Sequence, residues 1–158
     1  MLMWCGNAPD HPEEASMTSR LNPYISFDGT AREAMEFYRS VLGGTLTMST
    51  FGEYGAPEGP GADGIMHAQL ETDAGYTLMA SDTPPGMEYT PGSSITISLS
   101  GDDAEQLRGY FTRLLEGGTV TMPLEKQMWG DEFGQGTDKY GVGWLVNIAL
   151  PEGSSTDA

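Results

Sequence analysis

Glu36-Phe-Tyr-Arg-Ser-Val-Leu-Gly-Gly-Thr-Leu-Thr-Met48 decides the fold, because its second half is written twice. Gly43-Gly44-Thr45-Leu46-Thr47-Met48 returns as Gly117-Gly118-Thr119-Val120-Thr121-Met122. The same offset of 74 residues carries Asp28 onto Asp102 and Phe37 onto Phe111. Three features sharing one ungapped offset point to a duplicated structural unit. In the first copy, apolar residues at 31, 34, 35, 38, 41 and 42 make one face of a helix. Gly43-Gly44 ends it, since glycine accepts the left-handed dihedrals that a helix C-terminus often needs. Leu46 and Met48 then share one side of a following strand.

Upstream, Pro23, Ile25 and Phe27 alternate with Asn22, Tyr24 and Ser26, a strand pattern over Leu21 to Phe27. Thr30 is expected to cap the helix, with Glu33 completing a capping box. Downstream lies a long glycine-rich loop, Gly52 to Gly64. A strand from Ile65 to Glu71 follows, with Met66, Ala68 and Leu70 opposite His67, Gln69 and Glu71. Asp73-Ala74-Gly75 turns the chain into a strand over Tyr76 to Ser81, and Asp82 to Gly92 is a second loop. The second half repeats the order. Ile95, Ile97 and Leu99 alternate, and Asp102 or Asp103 caps a helix with Ala104, Leu107, Phe111, Leu114 and Leu115 on one face. Strands are expected over Thr119 to Met122, Phe133 to Thr137 and Trp144 to Leu150, the last two joined by the turn Asp138-Lys-Tyr-Gly141.

Each half therefore reads βαβββ, over 20–82 and 93–150. The expected class is α+β, two tandem βαβββ modules forming curved mixed sheets around a cleft, one domain over 20–150. Residues 1–19 and 151–158 show no period and are expected to be disordered tails, with Met17 an alternative start. Four strands and one helix bury one sheet face, and the other stays open to line a small-molecule cleft.

The composition narrows the partners. Of 158 residues, 23 are acidic and seven basic, a net charge of −16 that repels nucleic acid and anionic lipid. The charge reads first as solubility, and otherwise as attraction for a cationic ligand. Cys5 is the sole cysteine, so no internal disulfide forms. The N-terminus lacks the basic start and apolar run of a signal peptide. No stretch approaches the ~18 apolar residues of a membrane span. The expectation is a cytoplasmic protein.

Several motifs, in order, carry a resemblance: Asn22-Pro-Tyr-Ile-Ser-Phe27, Phe37-Tyr38-Arg39, His67-Ala68, Trp129-Gly-Asp-Glu-Phe-Gly134 and Thr137-Asp-Lys-Tyr-Gly-Val-Gly-Trp144. They are similar to the PhnB-like branch of the vicinal oxygen chelate superfamily, which includes glyoxalases, extradiol dioxygenases and bleomycin-resistance proteins. Some members of the branch are labelled demethylubiquinone methyltransferase-like. The resemblance implies a homodimer and, for the superfamily's enzymes, a divalent metal held by His, Glu or Gln from the first and last strands of each module. Here the matching positions fall near Asn22, on Thr77 or Met79, on Ser94 or Thr96, and on Leu145 or Asn147. None is His, Asp or Glu, whereas divalent ions of this kind want carboxylate or imidazole. No metal or other cofactor is therefore expected.

His67 is the candidate catalytic residue, on one strand face with Gln69 and Glu71. As a structural histidine it would simply be hydrogen-bonded at the surface. His67 and Glu71 alone would supply only half of a four-ligand metal site. Candidate pocket residues are Tyr24, His67, Gln69, Met79, Trp129, Phe133, Trp144 and Asn147, with Tyr89 a further aromatic; core packing competes for the apolar ones. No Gly-x-Gly turn of the kind nucleotide-like cofactors use follows a strand and opens a helix. Three functions remain: a small-molecule-binding PhnB-like protein, a divalent-metal lyase, isomerase or dioxygenase centred on His67, and a drug-sequestering resistance protein.

Overall fold

The structure is a computed structural model and describes residues 19–54 and 61–151. The expected tails and the middle of the Gly52–Gly64 loop lie outside the described residues, apart from 19 and 151. In the first module, β1 (Tyr24–Phe27) leads to α1 (Ala31–Leu42), β2 (Thr45–Thr50), β3 (Ile65–Glu71) and β4 (Thr77–Asp82). The second has β5 (Ile97–Gly101), α2 (Ala104–Leu114), β6 (Thr119–Lys126), β7 (Glu132–Thr137) and β8 (Gly143–Ile148). Each module is a four-stranded mixed sheet, ordered β1-β4-β3-β2 and β5-β8-β7-β6, with one parallel pair (β1 with β4, β5 with β8). The expected α+β class of two βαβββ modules holds.

Register dates the duplication in detail. Ile25 pairs with Ala80, and Leu99 with Val146. The offset is thus 74 at the first strand and 66 at the last, the difference being a shorter β6–β7 connection. Both glycine pairs serve two ends. Gly43 and Gly117 take positive φ where the helix stops, at 80° and 83°. At Gly44 a Cβ would overlap the Glu71 carbonyl oxygen, and at Gly118 that of Thr137. The second glycine therefore lets the new strand approach the end of its neighbour.

The α1 face read from sequence is the buried face: Ala31, Ala34, Met35, Tyr38, Val41 and Leu42. On α2, Leu107, Phe111 and Leu114 are buried as expected, and Tyr110 joins them. Both helices share one apolar core with Phe27, Leu70, Leu78, Leu99, Trp144, Val146 and Ile148. Each fully buried large side chain contributes about 1.5–3 kcal/mol of transfer free energy.

Several expectations are corrected. Thr30 occupies the N-cap position but makes no side-chain capping bond. Asp82, at the far end of β4, does that work: its Oδ1 accepts from Gly29 N at 2.8 Å and Ala31 N at 2.9 Å. Its Oδ2 accepts from Ile65 N at 2.8 Å. On α2 the cap is local, Asp103 Oδ1 accepting from Gln106 N at 3.1 Å. β6 continues past Met122 to Lys126 although it contains Pro123. It is an edge strand with two register shifts, where a residue without N–H is tolerated. Ile95 precedes β5 and is 84% exposed.

Trp144 is the clearest relocation. It was a candidate pocket wall, yet it is 1% exposed on the helix side of the sheet. Its Nε1 donates to Asp138 Oδ2 at 2.8 Å, and the Tyr38 hydroxyl donates to the same oxygen at 2.6 Å. Asp138 Oδ1 accepts from Tyr140 N at 2.8 Å and Val142 N at 3.0 Å. This carboxylate of the second module is thus bonded to α1 of the first. Around it, Tyr38 meets Trp144 and Tyr140 edge-on, and Lys139 Nζ lies 4.5 Å from the Phe37 ring centroid. On the opposite flank Tyr76 packs edge-on against Tyr110, and Arg113 donates to the Ser40 carbonyl.

Asp138→Ala would leave four donors unpaired and is expected to cost about 3–5 kcal/mol in urea unfolding. Tyr38→Phe, which removes one bond to the carboxylate, is expected to cost about 1.5–3 kcal/mol. Burial first, and then the Asp138 charge, push the Tyr38 phenol far above its ordinary range. The unfolded chain releases that proton near pH ~10 while the folded chain keeps it. Stability is therefore expected to fall as pH rises above about 10, and less steeply in Tyr38→Phe.

Candidate functional site

Strand alternation sorts each sheet into a helix face and an open face. On the first sheet Tyr24 pairs with Met79, and Met79 with Gln69, so all three share the open face. His67, two residues before Gln69, belongs to it. On the second sheet Phe133 pairs with Asn147, and Gln135 with Leu145, placing these four on the other open face. The sequence-derived candidates thus divide between two walls.

On the first wall, Tyr24, 52% exposed, has its hydroxyl 3.2 Å from His67 Nδ1. His67 Nε2 lies 3.5 Å from Gln69 Oε1, and Gln69 Nε2 donates to Glu71 Oε2 at 2.5 Å. His67 is half-buried and joined at both ring nitrogens. On the second wall, Trp129 stands edge-on to Phe133, with ring centroids 6.0 Å apart, and is 61% exposed. Asn147 Nδ2 donates to Asp131 Oδ2 at 3.0 Å. Trp144 belongs to neither wall.

Between the modules opens a cleft of about 460 Å³. Tyr24 to Phe27 of β1 line it on one side, and Thr121, Gln135 to Thr137 and Gly143 on the other. The connection from Tyr89 to Ile97 runs along it, and Tyr140 closes one end. Of the sequence-derived pocket residues, Tyr24 lines this cleft, as does Tyr89. The connection is expected as a Gly/Pro loop to Gly92 and as a strand from Ser94, with Ser94 or Thr96 on the cleft side; the structure lines the cleft with both and begins β5 at Ile97. The lining contains hydroxyls, an amide, aromatic rings and aliphatic groups, and no ionised side chain. Burial is the main reason the Tyr140 phenol is raised above its ordinary value, with the Glu33, Asp138 and Glu36 carboxylates adding to it, so it stays neutral.

The donors offered to a divalent ion are a separate matter. The open-face positions on the first and last strands of each module are Tyr24 and Ser26, Met79 and Ser81, Ser98 and Ser100, and Leu145 and Asn147. Hydroxyl, thioether, aliphatic and amide groups do not fit a hard or borderline divalent cation, which wants carboxylate or imidazole. Among the described residues no three His, Cys, Asp or Glu side chains converge on one point.

Two βαβββ modules in tandem define the class of fold, one shared with a solved PhnB protein. The sequence pattern of the family described as 3-demethylubiquinone-9 3-methyltransferase matches residues 19–147, and the chain belongs to this PhnB-like family. It is 30% identical over 140 residues to Protein YjdN of Escherichia coli, covering 81% of this chain and 94% of that one. The fold is similar to that of protein PA1353 from Pseudomonas aeruginosa, with a TM-score of 0.76, 38% identity, and 85% and 100% of the two chains covered. It is also similar to a PhnB protein from Bacillus cereus, a putative 3-demethylubiquinone-9 3-methyltransferase (TM-score 0.67, 25% identity, 83% and 100% covered). The fosfomycin resistance protein FosX of Listeria monocytogenes, solved with Mn(II) and sulfate, shares the fold at a TM-score of 0.55 and 9% identity, over 84% of this chain and 93% of that one.

The donor set makes a measurable forecast. Elemental analysis of the purified protein after dialysis against Mn²⁺, Zn²⁺ or Ni²⁺ and desalting is expected to give well under one ion per chain. A stoichiometric ion would show that ligands other than these strand positions assemble a site.

Proposed function

We propose that this chain binds a small, uncharged organic molecule in the cleft between its two modules. The uncharged lining of that cleft is the observation that carries the reading. Its volume lies within the ~300–1,000 Å³ typical of small-molecule sites. A chain of net charge −16 that keeps every carboxylate out of one concave surface favours a neutral ligand there. A cationic drug, the sequestration reading, would find no counter-charge in the lining. The metal-enzyme reading would need ligands that the strand positions do not offer.

Methyl transfer, the activity in the family's description, draws no support from the geometry. A nucleotide-like methyl donor with anionic groups would seek free N–H groups at a strand-to-helix turn. In the β1–α1 turn, the N–H groups of Gly29 and Ala31 already point to Asp82. A second carboxylate or phosphate there would meet like charge.

The chain acts in the cytoplasm as a homodimer in this reading. Support for the dimer comes from the apolar groups left bare at one edge of the second sheet: Met122 is 43% exposed, Val120 47%, and Trp129 and Met128 more so. No helix among the described residues is long and apolar enough to cross a membrane.

Ligand-observed NMR with a set of neutral aromatic and hydroxylated fragments at millimolar concentration tests the cleft. Hits are expected to compete with one another and to lose binding at least tenfold in Ser94→Trp, which fills the cleft from the exposed connection. Fragments that bind equally well to that variant would place the site elsewhere. Sedimentation equilibrium is expected to give twice the chain mass, and a monomer at micromolar concentration would remove the dimer.

A further inference from the structure

Tyr24 is the one residue that belongs both to the cleft and to the hydrogen-bonded row on the first open face. That row can be read from its far end. The Glu71 carboxylate offers only acceptors, so the Gln69 group facing it at 2.5 Å is the amide nitrogen. This turns Gln69 Oε1 toward His67, whose Nε2 lies 3.5 Å away. A carbonyl oxygen can only accept, so Nε2 carries the ring proton. In a neutral imidazole Nδ1 is then the acceptor. The group 3.2 Å from Nδ1 is the Tyr24 hydroxyl, which must donate to it. With its single proton committed to His67, the Tyr24 oxygen keeps only lone pairs for anything else.

We propose that Tyr24 is a specificity-determining residue of the cleft, and that Glu71, Gln69 and His67 hold its oxygen as an obligate hydrogen-bond acceptor. The cleft thereby selects ligands that offer an O–H or N–H donor over isosteres that offer only an acceptor. His67 acts here as a positioning residue, through Tyr24. The inference rests on the reading of the cleft as a ligand site.

Two probes of nearly equal shape separate the cases: phenol, which has a donor, and anisole, which lacks one. Phenol is expected to bind about three- to tenfold more tightly than anisole. Tyr24→Phe is expected to bring the two within about twofold by weakening phenol alone. Equal binding to the native chain, or a phenol preference that survives Tyr24→Phe, would overturn the proposal while leaving the cleft as a site. If neither probe is displaced by, or displaces, any fragment, the cleft reading itself fails.

The ring proton can be seen directly. His11 and His67 are the only histidines, so their ¹⁵N signals are readily told apart. Long-range ¹H–¹⁵N spectra are expected to show His67 bare at Nδ1 and protonated at Nε2. Gln69→Leu removes the acceptor at Nε2, and is expected to mix the tautomers and lower the phenol preference without changing anisole. A native His67 protonated chiefly at Nδ1, or a Gln69→Leu variant with both readouts unchanged, would sink the idea.

Discussion

One buried carboxylate holds the arrangement together. Asp138 is 3% exposed and satisfied by four donors: two backbone N–H groups of its own turn, the Trp144 indole and the Tyr38 hydroxyl. A buried charge is tolerated only when it is fully hydrogen-bonded. Here full bonding requires both modules, because the fourth donor comes from α1. The second sheet's β7–β8 turn is therefore fixed to the first module's helix. That fixes in turn where β8 and its neighbour β5 stand relative to β1, and so where the cleft opens. The equivalent position in the first module is Thr72, whose hydroxyl bonds only within its own turn, to Tyr76 N and O. One module supplies the cross-link, and the other closes its turn locally.

The same division shows at the helix starts. Asp82 reaches from the end of β4 to the Gly29 N–H of the turn and the first N–H of α1, that of Ala31, whereas α2 is capped by the adjacent Asp103. A tertiary cap ties helix, β1–α1 turn and β3 start into one unit, since Asp82 also holds Ile65 N. It also uses up the helix N-terminus as an anion site. The first module is thereby committed to structure at the point where many α/β proteins bind phosphate.

The fold was legible because the features that build it are local. The glycine pairs, the six-residue apolar face of α1 and the alternation of β3 each lie within a dozen residues, and the repeat doubles every signal. What failed was non-local. Thr30 had the right residue type for a cap, but it makes no capping bond, and a carboxylate 52 positions later accepts from the Ala31 N–H at the start of the helix. Trp144 alternates in phase with buried Val146 and Ile148, a sign of core that the general preference of tryptophan for ligand clefts masked. The first open face was half legible. His67, Gln69 and Glu71 could be put on one face by counting, yet the contact with Tyr24 spans an intervening strand and needs the sheet order. The connection that borders the cleft alternates only from Ser94 on, and its earlier part, Tyr89 to Ser93, has no period.

The two open faces began as copies and have diverged by position. Where the first sheet has His67, Glu71 and Met79, the second has Phe133, Thr137 and Leu145 at the positions that register makes equivalent. Gln69 and Gln135 keep the same side chain, as do Ser26 and Ser100 on the first strands and Thr45 with Thr119 and Thr47 with Thr121 on the second. One wall thus carries a hydrogen-bonded polar row ending in a carboxylate, and the other sets Phe133, Trp129 and Leu145 beside Gln135 and Asn147, with Asp131 bonded to Asn147 and Glu125 opposite Phe133. A duplicated module with identical walls would accept a ligand in either of two equivalent orientations. In the proposed reading, walls that differ remove that degeneracy: one end of a ligand meets the Tyr24 hydroxyl, and the other the Gln135 amide and the Thr121 and Thr137 hydroxyls. In that reading, divergence of the open faces gives a duplicated scaffold a single binding direction.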